Sequence, residues 1–255
     1  MAAVELAFQP EGFDRLTNAG VYLGSFDPLH RGHEWVIGQL LDRFGGAIVL
    51  VPARHFHKEV RYPQNATLEQ RLELLVAFAR GRGDRIAVGV AGEVLFVRLA
   101  RALEALLPGV AFSFALGDET YSRLADSASY FSRSGLAWTS QDEADLRKLC
   151  RQAVILGRGR WEEGFVKVPA TMRTISSTMV RATIGQVRIE QAAVAEAWRR
   201  LAPMISWPVW QWILRHGLYP ADERLTRRGA GRQAGGSGRR HAQDGCRKQS
   251  MPFPP

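Results

Sequence analysis

Apolar residues recur along the chain in two rhythms. Short continuous runs at 21–23, 47–51, 86–90, 111–116 and 153–156 are bounded by Gly, Pro or polar residues. Such runs predict strands buried on both faces, and 165–168 reads as a short last strand. Between them, apolar positions return every three or four residues. Val36, Ile37, Leu40, Leu41 and Phe44 form one stripe; Leu68, Leu72, Leu75 and Ala79 a second; Phe96, Leu99, Leu103 and Leu106 a third. That spacing predicts amphipathic helices packed by one face. Thr67 stands as N-cap of a helix running through Arg80, and Pro108-Gly109 stops the next one. Further helices are expected over 142–150, 178–184, 190–200 and 208–215, the last closed by Gly217.

Strands alternating with helices imply a parallel sheet with right-handed crossovers. The expected fold is therefore α/β, a Rossmann-like doubly wound parallel sheet. It forms a single domain with C-terminal helices over residues 20–222. Residues 1–19 are weakly patterned and read as a lead-in to the first strand. Residues 127–141 are polar and small, which suggests a loop or lid. There is no internal repeat, no Gly-x-Gly-x-x-Gly and no Walker A sequence, so hydride transfer to a dinucleotide and P-loop hydrolysis have no support.

Composition narrows the class. The 255 residues, 46% hydrophobic and 23% charged, suit one globular domain. No run of about 18 apolar residues occurs, so no membrane span is expected. The first residues lack the basic and apolar regions of a secretory signal. Cys150 and Cys246 alone make neither a disulfide framework nor a cysteine zinc site, and the expectation is a cytoplasmic protein. The formal net charge is +9. From Arg224 onward, Arg224, Arg227, Arg228, Arg232, Arg239, Arg240, Arg247 and Lys248 face Asp244 alone. The body is thus nearly neutral. Residues 223–255 read as a basic, disordered tail, the one place where a nucleic-acid contact is expected at all.

Candidate chemistry concentrates in Val21-Tyr-Leu-Gly-Ser-Phe-Asp-Pro-Leu-His-Arg-Gly-His33. A strand, a tight turn and a helix start make an anion site, because the first helical N–H groups lack internal partners. Gly24 would let backbone approach a ligand closely, and Pro28 stiffens the turn. His30 and His33, three apart, can bring two imidazoles to one side of that helix start, an arrangement suited to a polyphosphate. Ser176, Ser177 and Thr178 open a second helix with three hydroxyls, and Arg181 adds a fixed cation one turn on. The segment 53–65 carries Arg54, His55, His57, Lys58 and Arg61 at the carboxyl edge of a strand, where open sheets place ligands. His30 and His33 do not read as a zinc pair, and no metal ligand is assigned, because no further ligands are evident.

Gly24-Ser25-Phe26-Asp27-Pro-Leu-His30-Arg-Gly-His33 resembles the signature of the HxGH nucleotidyltransferases, and most closely the nicotinate/nicotinamide mononucleotide adenylyltransferases. Ile175-Ser-Ser-Thr178-Met-Val-Arg181 resembles the family's second motif. His57-Lys58, Gly117-Asp118 and the terminal His216-Gly-Leu-Tyr219 fall in the family's order, so the resemblance spans roughly 20–220. It implies direct transfer of the adenylyl group from ATP to a mononucleotide, with release of pyrophosphate. The residues it implies for ATP are Gly24, Ser25, Phe26, His30, His33, Gly117, Asp118, Ser177, Thr178 and Arg181. His30, His33, Lys58 and Arg181 would act on the transferring phosphates, and Asp118 would contact ribose or metal-bound solvent. Mg²⁺ is implied because ATP phosphates carry it.

The acceptor half departs from the family pattern. Leu23 replaces the first of two glycines, Glu93-Val-Leu-Phe-Val97 stands where Tyr-Thr-x-Asp-Thr is usual, and the family tryptophan after Gly-x-Asp is missing. Tyr130 and Phe131, with His57, are the expected acceptor contacts, and Phe96 or Trp161 the alternatives as stacking platform. Acceptors other than a pyridine mononucleotide remain open, phosphopantetheine or a phosphorylated alcohol among them, as does a catalytically silent nucleotide- or RNA-binding relative.

Overall fold

The computed structural model describes residues 2–53, 62, 64–93, 95–134, 137–157, 159 and 162–220. The chain begins with β1 (Val4–Phe8) and β2 (Asn18–Leu23), followed by α1 (Arg31–Leu41), β3 (Gly46–Pro52) and α2 (Leu68–Arg80). Then come β4 (Ile86–Ala91), α3 (Phe96–Leu106), β5 (Ala111–Gly117), α4 (Asp118–Ala125), α5 (Ser127–Ser134) and α6 (Ser140–Gln152). The described chain finishes with β6 (Val154–Gly157), β7 (Val166–Lys167), α7 (Ala170–Arg173), α8 (Ser177–Ile189), α9 (Val194–Leu201) and α10 (Trp207–Arg215).

The strands form one sheet in the order β1-β4-β3-β2-β5-β6-β7. β2 pairs in parallel with β3 on one side and with β5 on the other, so strand order reverses there. The carboxyl ends of β2 and β5 flank that switch point, where an open α/β sheet forms its natural crevice. Helices cover both faces. Val49 and Val51 of β3 pack with α1, α2, α8 and α10, while Ile48 and Leu50 pack with α3 and α6. The period-two alternation of a strand sends neighbouring residues into the two cores. Among the described residues no helix is long and apolar enough to cross a membrane.

Besides the unexpected short helices α4 and α7, two segments differ from expectation. The lead-in contains a strand: β1 pairs antiparallel with the sheet edge at β4, so the sheet is mixed rather than wholly parallel. Its alternation of Val4, Leu6 and Phe8 is short but sufficient for a half-buried edge strand. The supposed lid at 127–141 is helical over α5 and the first turn of α6. Phe131 is fully buried there and stacks on Trp138 at 5.0 Å. Thr139 and Asp142 cap α6 reciprocally. The polar composition of the stretch concealed one apolar anchor and one cap. The Thr67 cap is as expected, closed by Gln70 in a capping box.

Candidate functional site

The site grows from the end of β2. Gly24 N–H extends the ladder to Leu50 O at 3.1 Å, and the chain then turns sharply. Phe26 takes a left-handed φ of 47° and folds its ring back beneath Gly24. A Cβ on Gly24 would lie 2.9 Å from that ring, so this glycine makes room for Phe26. The buried Phe26 ring packs edge-on against Tyr22 and against His33, with centroids 5.4 and 4.8 Å away. The Asp27–Pro28 peptide is cis.

His30 is the N-cap of α1: its Nδ1 accepts the His33 N–H at 3.3 Å. A ring that accepts at Nδ1 carries its proton at Nε2 when neutral, and so keeps a donor at its other edge. The His30 and His33 rings stack with centroids 3.6 Å apart. A Cβ on Gly32 would come within 3.1 Å of the His30 ring, so a larger residue between the two histidines would press on that ring.

The turn is held from below by charge. Asp27 is buried and its carboxylate accepts from Ala66 N–H at 2.9 Å, Tyr219 O–H at 2.8 Å and the Asn65 amide. Arg181 donates to the Asp27 backbone oxygen and lies 3.5 Å from its carboxylate. Arg71, also buried, donates to Ser25 O at 3.0 Å and to Thr67 O at 3.2 Å. Burial pulls the Arg71 guanidinium below its usual pKa, opposed by the Asp27 charge. Ser176 caps α8, and Ser177 O–H reaches Pro28 O at 3.1 Å. Thr178 Oγ1 accepts from Arg181 at 3.4 Å. The two motifs, far apart in sequence, are therefore bonded to each other, and two helix N-termini meet at one turn.

Above the turn lies an open cleft of about 240 Å³ at the switch point, lined by Tyr22, His30, His33, Trp35, Phe96 and Gly117 among others. Tyr130 and Phe131 are not among its walls. Phe131 is consumed by the core, and Tyr130 turns its hydroxyl to accept the Phe96 N–H at 2.9 Å. Burial pushes that phenol up to about 12. Asp118 accepts from Gly159 N–H at 2.8 Å and from Glu119 N–H at 3.1 Å, which ties the β5–α4 junction to the segment after β6. His57, Lys58 and Trp161 lie outside the described residues.

Sequence reasoning missed Trp35 on the cleft and the supports Asn65 and Arg71, and it placed Tyr219 in the family's order without a task. An aspartate set in an apolar turn, Phe-Asp-Pro-Leu, was the one available signal that buried partners must exist. Among the described residues no group of three His, Cys, Asp or Glu is disposed to hold a metal ion.

A cytidylyltransferase-like family model matches residues 21–183. A probable nicotinate-nucleotide adenylyltransferase of Rubrobacter xylanophilus is 29% identical over 224 residues, 82% of this chain and 94% of that protein. Plasmodium falciparum nicotinic acid mononucleotide adenylyltransferase complexed with NaAD shares the fold with a TM-score of 0.56 at 16% identity, over 80% of this chain and 97% of its own. The same enzyme complexed with APC gives 0.52 at 17% identity, with the same coverage.

Proposed function

The chain belongs to the cytidylyltransferase-like family, and from that premise we propose that it joins ATP to nicotinate mononucleotide, forming the dinucleotide and pyrophosphate in NAD biosynthesis. The observation that carries this is the stacked His30–His33 pair at the start of α1, bonded through the turn to the start of α8. The mononucleotide phosphate attacks the α-phosphorus in line. A new P–O bond forms, the bond to the bridging oxygen breaks, and its electron pair leaves with pyrophosphate. Such chemistry needs alignment and charge neutralisation more than a nucleophile from the protein.

In this scheme His30 Nε2–H and His33 donate to the phosphate oxygens, and the α1 terminus adds its positive end. Ser177, Thr178 and Arg181 bring the α8 terminus to the β- and γ-phosphates. Gly24, Ser25 and Phe26 shape the turn, and Gly117 and Asp118 border the nucleoside side. Lys58 would add a cation and His57 an acceptor contact, as the family pattern implies. Mg²⁺ arrives with ATP as part of the substrate. The hard cation takes phosphate and water oxygens, consistent with a cleft walled by imidazole and aromatic rings. Phe96 takes the place of Tyr130 and Phe131 as platform for the pyridine ring. Transfer is assigned to residues 20–222 in the cytoplasm, with 223–255 a tail outside the chemistry.

Pyrophosphate release from MgATP tests this directly, with nicotinate mononucleotide, nicotinamide mononucleotide, phosphopantetheine and a phosphorylated alcohol compared as acceptors. Highest kcat/KM with nicotinate mononucleotide is expected. Release with phosphopantetheine alone would overturn the acceptor, and release with none of them the activity.

A further inference from the structure

We propose that Tyr219 is a positioning residue for the transfer, acting through Asp27 to fix the turn on which His30 and His33 stand. Adenylyl transfer is the premise for its catalytic consequence. Tyr219 lies 192 residues from Asp27, touches no residue of the HxGH stretch except Asp27 by hydrogen bond, and does not line the cleft. It is buried with a left-handed φ of 57°, just past the Gly217 that ends α10. A non-glycine residue in that region persists only where its surroundings hold it there.

The geometry gives the hydroxyl a specific task. Asp27 is a buried carboxylate that gathers donors from three separate segments: Asn65 and Ala66 before α2, Arg181 in α8, and Tyr219 after α10. A carboxylate taken out of water is tolerated only when such donors surround it, and each donor then fixes its orientation. Tyr219 and Ala66 share Oδ1, while Asn65 and Arg181 share Oδ2. Removing the hydroxyl unbalances the first oxygen and lets the carboxylate rotate. Rotation slackens the hold on Arg181, which also donates to the Asp27 carbonyl and to Thr178 Oγ1. Three residues on, His30 caps α1 and stacks on His33, so a shift of the turn is a shift of both imidazoles. Burial, reinforced by the Asp27 charge, holds the Tyr219 phenol far above its ordinary pKa, so it remains a donor throughout the working range.

Tyr219→Phe in the full chain is the test, because it removes one oxygen and keeps the ring that fills the core. A displacement of about 1 Å at a reacting centre costs up to about 10²-fold. The expected result is a kcat lower by about 10- to 100-fold with the acceptor KM within about twofold. The loss should persist when rates are normalised to folded protein. A role confined to stability would lower the melting temperature and the folded fraction, leaving kcat per folded molecule unchanged. Without any substrate, the His33 backbone amide resonance reports its bond to His30 and should move in Tyr219→Phe. That signal separates failure of the positioning role from failure of the adenylyl transfer premise. An unmoved His33 resonance overturns the proposal whatever the acceptor proves to be, as does kcat within twofold of wild type in an enzyme that releases pyrophosphate. Should Tyr219→Phe not fold, 4-fluorophenylalanine placed at position 219 fills the space of the hydroxyl without donating to Asp27, and the same two readouts decide.

Discussion

One wall of the cleft, the turn after β2 with the starts of α1 and α8, is held by hydrogen bonds among charged groups: the buried Asp27 and Arg71 and the half-buried Arg181. The opposite wall, around the start of α3, is held by aromatic packing, with Phe96 edge-on to Phe114 and Phe131 stacked on Trp138. Both are anchored, by different means. Directional bonds place the imidazoles to the accuracy that in-line phosphoryl chemistry demands, whereas apolar packing makes a flat surface on which a ring can slide. The charged wall suits the reacting centre, and the packed wall suits the part of a substrate that does not react.

That contrast is broken or sharpened first by one deletion in each wall. Asp27→Ala strips the common partner from Arg181, Asn65 and Tyr219 and should destabilise the fold by about 3–5 kcal/mol in urea unfolding, with loss of turnover. Phe131→Ala should cost a similar amount of stability, about 3–5 kcal/mol, while the surviving folded protein keeps its acceptor KM. A raised KM there would return Phe131 to the acceptor site.

The next effect is confined to chemistry. His33→Ala removes one preorganised donor and should lower kcat by about 10²–10³-fold with the melting temperature little changed. Turnover near wild type would leave the charged wall without its assigned role. Smaller still is Phe96→Ala on the packed wall. Loss of about 1–3 kcal/mol of stacking should raise the mononucleotide KM by about 5- to 150-fold and spare that of ATP. Equal loss for both substrates would mean that Phe96 shapes the whole cleft rather than one half. Last come residues 223–255, whose composition offers little to bury. Deletion after Glu223 should leave both kinetics and thermal unfolding unchanged, measured by pyrophosphate release and calorimetry.

The two walls were not equally legible in the sequence. Local chemistry wrote the first: a strand, Gly24, Pro28, two histidines three apart and a Ser-Ser-Thr helix start all act within a few residues of themselves. The strand end and the two helix starts lie where the sequence predicts them, and the room that Gly24 leaves is taken by Phe26. What joins the two motifs, Asp27 to Tyr219 and Arg181, spans more than 150 residues and leaves no local trace. On the second wall the question was which aromatic faces the cleft, and that is settled by tertiary packing. Tyr130 and Phe131 sit in a polar stretch that suggests exposure, yet α5 turns one into the core and the other onto the start of α3. The edge strand β1 was missed for a related reason, since three alternating apolar residues become a strand only beside β4.

The most direct test follows the phosphorus atoms. In a single turnover with ATP labelled at the α-phosphorus, nicotinate mononucleotide and Mg²⁺, the label should pass wholly into the dinucleotide while the β- and γ-phosphates leave together as pyrophosphate. Label appearing as ADP, with the γ-phosphate released alone, would contradict attack at the α-phosphorus and with it the role given to the His30–His33 pair.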